Sequence, residues 1–74
     1  MTLSSVKSGQ SCKIVKISSS KEALKKFNRL GLVEGTNIKV VRKALFNGPI
    51  EILIRSYYLA LRITDADQII VEIQ

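Results

Sequence analysis

The sequence contains no histidine and no tryptophan, a single cysteine, a single proline and only six acidic residues. Without histidine, the chain lacks the commonest general base near neutral pH and the commonest ligand of transition metals. Cys12 has no second cysteine to pair with, whereas a secreted domain of this size ordinarily carries several, which points to a reducing cytoplasm. No run approaches the roughly 18 apolar residues needed to span a bilayer, and MTLSSVKSGQ has no apolar core of a secretory leader. Phosphate-binding loops of the G-x-x-x-x-G-K-[ST] and G-x-G-x-x-G types are missing, as is any C-x-x-C pair. Neither an enzyme nor a bound cofactor is therefore expected, and binding is left as the function class.

What the chain does have is aliphatic. It is 46% hydrophobic but only 5% aromatic, so Ile, Leu and Val must fill the interior. Seventy-four residues make one domain, which hides about 60% of its unfolded surface and reaches a total stability of about 4–11 kcal/mol. That leaves little to hold a strained catalytic site. The net charge of +6 is uneven: residues 1–43 hold ten Lys and Arg against two acids, and residues 44–74 hold two against four. Such a balance favours an acidic protein surface, an anionic membrane face or nucleic acid, unless the cations serve only solubility.

Hydrophobic period divides the chain into elements. Leu3 and Val6 pin a lead-in that ends in a turn at Ser8–Gln10, and Ser11–Ile17 alternates as a first strand holding Cys12, expected to be a buried hydrophobe. Ser19, with Glu22 three residues on, has the form of a capping box and starts a helix to about Leu30. Ala23, Leu24, Phe27 and Leu30 share its inner side, while Lys21, Lys25 and Arg29 stack at four-residue steps on the outer side. Like charges at that spacing cost a few tenths of a kcal/mol each, so the stripe suits an acidic partner or simple solubility. Gly31 falls where a left-handed helix terminus is wanted, with Leu30 and Leu32 as plugs for the core. A second strand, Thr36–Lys43, then places Ile38 and Val40 on one face and Lys39, Val41 and Lys43 on the other.

The second half reads as a hairpin and a closing strand. A turn at Arg55–Ser56 pairs Ile54 with Tyr57, Ile52 with Leu59 and Ile50 with Leu61, making one hairpin face wholly apolar and putting Tyr57 on the core side. Neither turn residue is Gly or Asn, so the turn is a weak one. On the other face Arg62 lies diagonal to Glu51 and is able to pair with it. Thr64–Gln68 is a polar turn or a single helical turn in which Asp65 and Asp67 serve as caps and make a poor cation site, and Ile69–Ile73 closes the sheet. Leu45 and Phe46 sit in the turn sequence ALFNGP, where polar residues are usual. They either fold back as a lid on one end of the barrel or anchor another protein. Five short strands and one helix fit a mainly β fold, a small, partly open antiparallel barrel.

In order and spacing, Gly9, Ile14, Leu30, Gly31, Leu32, Gly35, Ala44, Pro49, Leu59, Ala60, Leu61, Arg62, Ala66, Ile69 and Val71 resemble the FeoA family, the small cytoplasmic component of bacterial ferrous iron transport. The chain departs from that pattern at Glu34 and Leu45, where proline is common, and at Asn47 and Ser56, where glycine is common. The resemblance implies an SH3-like β-barrel with one inserted helix over residues 1–74, a fold shared with the C-terminal domain of iron-dependent repressors. It further implies a non-catalytic protein acting on FeoB, the membrane permease with a cytoplasmic G domain, and so recruited to the inner face of the membrane. The residues expected to touch that partner are Leu45 and Phe46 as apolar anchors, with Lys21, Lys25 and Arg29 as steering charges. Two other readings stand beside it: a basic barrel binding RNA or DNA, with Tyr58 as stacking platform, and an isolated metalloregulator-type domain.

Overall fold

The computed structural model describes residues 1–74. A 3-10 turn at Leu3–Ser5 leads into β1 (Ser11–Ile17), α1 (Lys21–Arg29), β2 (Asn37–Lys43), β3 (Ile50–Ile54), β4 (Tyr57–Leu61), α2 (Ile63–Ala66) and β5 (Ile69–Ile73). The strands form one antiparallel sheet in the order β4-β3-β2-β1-β5. β4 and β5 are not paired with each other, so the curled sheet is a barrel left open along that seam. Three helical pieces rather than one join the strands, because the N-terminal lead-in and the 63–66 segment each wind a single turn.

Alternation alone would not have kept every inward residue inward. Ile14 pairs with Val71 but Lys16 with Ile70, so Val15 is an extra residue in β1, and the slip returns Ile17 to the core beside Cys12 and Ile14. A second bulge lies at Val41, between the pairs Val40–Ile52 and Arg42–Glu51. It puts Lys43 opposite the buried Ile50, on the inner side rather than the outer side that strict alternation assigns. The lysine resolves the conflict by burying its stem and carrying its Nζ to the Ser4 carbonyl at 2.7 Å. The resulting core is aliphatic around the single ring of Phe27, and no polar or charged side chain is buried in it.

The helix is held at both ends by its own sequence. Ser20, not Ser19, is the N-cap: its hydroxyl accepts from the Ala23 N–H at 3.2 Å, which leaves Glu22 one position short of a capping box. Ser19 is drawn away by a distant partner, donating to the Gln68 side chain at 2.6 Å. At the other end Gly31 takes φ +88, and two bonds, Gly31 N–H to Asn28 and Leu32 N–H to Phe27, at 3.0 and 2.9 Å, complete a Schellman motif. Its accompanying apolar contact is Phe27 with Leu32, both fully buried, whereas Leu30 is only half-buried. Leu32 alone is therefore the plug.

The β3–β4 hairpin has the expected register throughout, from Ile54–Tyr57 to Ile50–Leu61. Arg55 makes the two-residue turn by adopting φ 53, a left-handed conformation that costs a non-glycine residue about 1–2 kcal/mol. Arg62 does not pair with Glu51. It bonds Asp65 at 3.4 Å, and Glu51 is met instead by Arg42 across β2 and β3 at 3.9 Å.

Two stability outcomes follow. Leu32→Ala lowers the unfolding free energy by about 2–5 kcal/mol in urea denaturation, and Leu30→Ala by clearly less. Arg55→Gly raises it by about 0.5–1 kcal/mol, because glycine takes the left-handed turn without the side-chain clash.

Candidate partner-binding surface

Packing of Phe27, with Ala23, Leu24 and Leu30 lying against the core, fixes which side of α1 faces out. Lys21, Lys25 and Arg29 are all exposed, as their spacing demands. None of them joins an ion pair: the molecule's three pairs involve Lys26, Arg42 and Arg62. Lys26 and Arg62 converge on Asp65, at 4.0 and 3.4 Å, so the acid that could have neutralised the helix is spent on its flank. What remains is an uncompensated cationic row along one side of the molecule.

The β2–β3 loop presents the apolar pair. Ala44 N–H bonds the Pro49 carbonyl at 3.1 Å and Gly48 N–H the Leu45 carbonyl at 3.2 Å, closing a tight tip with Phe46 and Asn47 at φ 57 and 60. Only glycine fits at position 48, where a Cβ would lie 2.6 Å from that of Ala44. Leu45 is 81% exposed and Phe46 97%, so they do not fold back as a lid. The end of the barrel is already closed by Leu3, Val6 and the Lys43 stem, which leaves no apolar opening for them to cover.

Arg29 and the apolar tip do not lie together. The Leu45–Phe46 tip joins the Lys43–Ile50 end of the β2–β3 ribbon, while Arg29 stands at the opposite end, where the Tyr57 hydroxyl donates to the Leu30 carbonyl. That bond holds Tyr57 at the rim of the core face with 41% of its surface exposed, and only Tyr58 turns fully outward.

The reactive side chains are dispersed. Nowhere do three or more His, Cys, Asp or Glu side chains come together. Cys12 is fully buried, and burial pushes its thiol up to about 11. Asp65 stands inside the first turn of α2 rather than capping it, and Asp67 accepts a hydrogen bond from the Ser4 hydroxyl, so both carboxylates are engaged. A surface depression between Val33–Asn37 and Arg55 carries one acid, Glu34, and one cation, Arg55. No helix is long and apolar enough to cross a membrane.

The FeoA domain model matches residues 1–73. The chain belongs to the FeoA family. FeoA of Chlorobium tepidum is 32% identical over 99% of this chain and 70% of that one, with a TM-score of 0.89. A FeoA-like protein of Clostridium acetobutylicum shares 32% identity over 99% of this chain and 85% of its own, also at 0.89. FeoA of Stenotrophomonas maltophilia was solved with zinc and described as a prokaryotic SH3 domain protein and candidate ferrous iron transport activating factor. It is 25% identical over 97% of this chain and 89% of its own, with a TM-score of 0.83. No curated protein matches the chain. The FeoA barrel here is thus SH3-like, as the ordered motif set implies. One surface that motif reading passed over is the free side of β4, whose only advance signal is that YYLAL is the one strand without a charged side chain.

Because the Cys12 pKa is raised from 9.0 to about 11, the folded state holds a proton that the unfolded state gives up. Stability from this group is full below pH 9 and is lost as pH rises through about 11, amounting to about 2–3 kcal/mol. In thermal melts this alkaline slope flattens in Cys12→Ala, and a thiol reagent at neutral pH labels Cys12 only as fast as the protein opens.

Proposed function

We propose that this FeoA-family protein is a non-catalytic accessory component of ferrous iron uptake that docks on the cytoplasmic part of a FeoB-type iron permease. The observation that carries this reading is the family match over residues 1–73. Three features of the chain support it. The molecule gathers no group of three or more His, Cys, Asp or Glu side chains, which favours contact as its means of action. It presents Leu45 and Phe46 on a rigid tip far from any partner within the chain. It also keeps Lys21, Lys25 and Arg29 without counter-ions, a field that speeds encounter with an acidic surface. Arg29 lies at the end of the ribbon away from the tip, so in this reading the charges steer and orient while the apolar pair supplies the desolvated contact. Fe²⁺ is in this reading the cargo of the permease and not a ligand of the small protein.

Co-purification with the permease from detergent-solubilised membranes tests the proposal. Reversing Lys21, Lys25 and Arg29 to Glu slows association about tenfold or more at low salt and has less effect as salt rises. Leu45→Ser with Phe46→Ser weakens the complex by about 2 kcal/mol or more while stability changes little, since both side chains are exposed. No association in any nucleotide state, together with unchanged iron uptake on deletion, overturns the proposal.

A further inference from the structure

We infer that the outer edge of β4 is an acceptor for an extended segment of another protein, which joins the sheet as a further strand and carries acidic residues on both sides of an uncharged centre. The inference does not depend on which protein supplies the segment.

The phase of the hydrogen-bond ladder decides which groups are free. Val40 bonds toward β1, donating to Gln10 at 2.9 Å and accepting from Gly9 at 2.7 Å. Alternation then turns its neighbour Lys39 toward β3, where it faces Leu53, and turns Ile52 and Ile54 toward β4, where they face Leu59 and Tyr57. Tyr58 and Ala60 are left with N–H and C=O groups directed away from the sheet, and no other backbone group takes them up. The opposite margin of the sheet differs. On β5 the Val71 N–H bonds Met1 at 2.7 Å and Thr2 bridges Ile70, so the lead-in covers that edge.

Exposed edges are commonly blunted by lysine, proline or a bulge, and β4 has none of these. Tyr58, 64% exposed, and the exposed Ala60 flank the free groups on the outer face, with half-buried Leu59 between them on the inner face. An incoming strand would find paired donors and acceptors beside an apolar, aromatic surface, which is the mode of β-strand addition.

Charge selects the occupant. Arg55 stands in no ion pair at one end of the edge; at the other, Arg62 bonds Asp65 through Nε only, shares that acid with Lys26 and keeps 73% of its side chain exposed, so its terminal N–H groups are left for a second carboxylate. Arg29 adjoins Leu30, whose carbonyl is held by the Tyr57 hydroxyl. A second copy is disfavoured by these same groups: antiparallel self-pairing centred on Leu59 brings Arg62 of each chain beside Arg55 of the other, between two molecules that each carry a charge of +6. An uncharged stretch flanked by aspartate or glutamate meets both ends favourably.

The experiment follows backbone amides by NMR while a short synthetic peptide of alternating valine and threonine flanked by aspartates is added, with a lysine-flanked peptide as comparison. The aspartate-flanked peptide is expected to shift the Tyr58 and Ala60 amides saturably and to slow their exchange with solvent, and the lysine-flanked peptide to do neither. Ala60→Pro removes one outward N–H at a position an edge strand tolerates, and is expected to weaken binding about five- to tenfold with the other amides little moved. Absence of a saturable change at these two amides overturns the inference, whatever the behaviour of the variant. Equal binding of the two peptides, or amide shifts that depend on protein concentration without peptide, overturns the assignment of the occupant.

Discussion

The bond from the Leu32 N–H to the Phe27 carbonyl, closed over a left-handed Gly31, is the contact on which the arrangement of the molecule depends. A nine-residue helix has no independent stability in water, so α1 exists because its last turn is fastened to the barrel. The fastening brings the one core aromatic against Leu32 and turns the chain toward β2 in a single step. It also directs the Leu30 carbonyl at the Tyr57 hydroxyl, tying the helix end to the start of β4. Everything on the outside of the helix, including its cationic row, is oriented by this inner seam.

Much of this architecture was legible in the sequence because it is written at short range. Period-two apolar residues gave the strand positions, the apolar face of the hairpin specified its register, and the glycine after Leu30 marked the helix end. The features that were not legible are set by residues far apart in the chain. Val15 and Val41 are ordinary strand residues, and nothing local marks them as bulges; they show only in the pairing with neighbouring strands, where one returns Ile17 to the core and the other brings Lys43 opposite Ile50. The cap expected at Ser19 falls to Ser20 because Gln68 claims the Ser18 N–H and the Ser19 hydroxyl. Leu45 and Phe46 were open to two readings because exposure depends on whether the barrel end is already filled, and the lead-in fills it.

In the proposed reading the surface combines two different ways of meeting a partner. On α1 the cations are uncompensated because the nearby acid is shared between Lys26 and Arg62, so the attraction is long in range and weakened by salt. At the β2–β3 tip the attraction is short in range and needs close fit, and the tip is kept rigid by two backbone bonds and the proline that follows.

The pairing of β1 with β5 has a kinetic side. Cys12 meets Ile73 and Ile17 meets Ile69, so the strands that complete the barrel come from its two ends in sequence. Closing so long a loop carries a large entropic cost before any contact repays it, whereas the β3–β4 hairpin closes over two residues. The hairpin is thus the natural early structure and the β1–β5 seam the late one. The lead-in is stitched to that late seam through Met1 and Val71, so the first residues of the chain and the last strand come to order together.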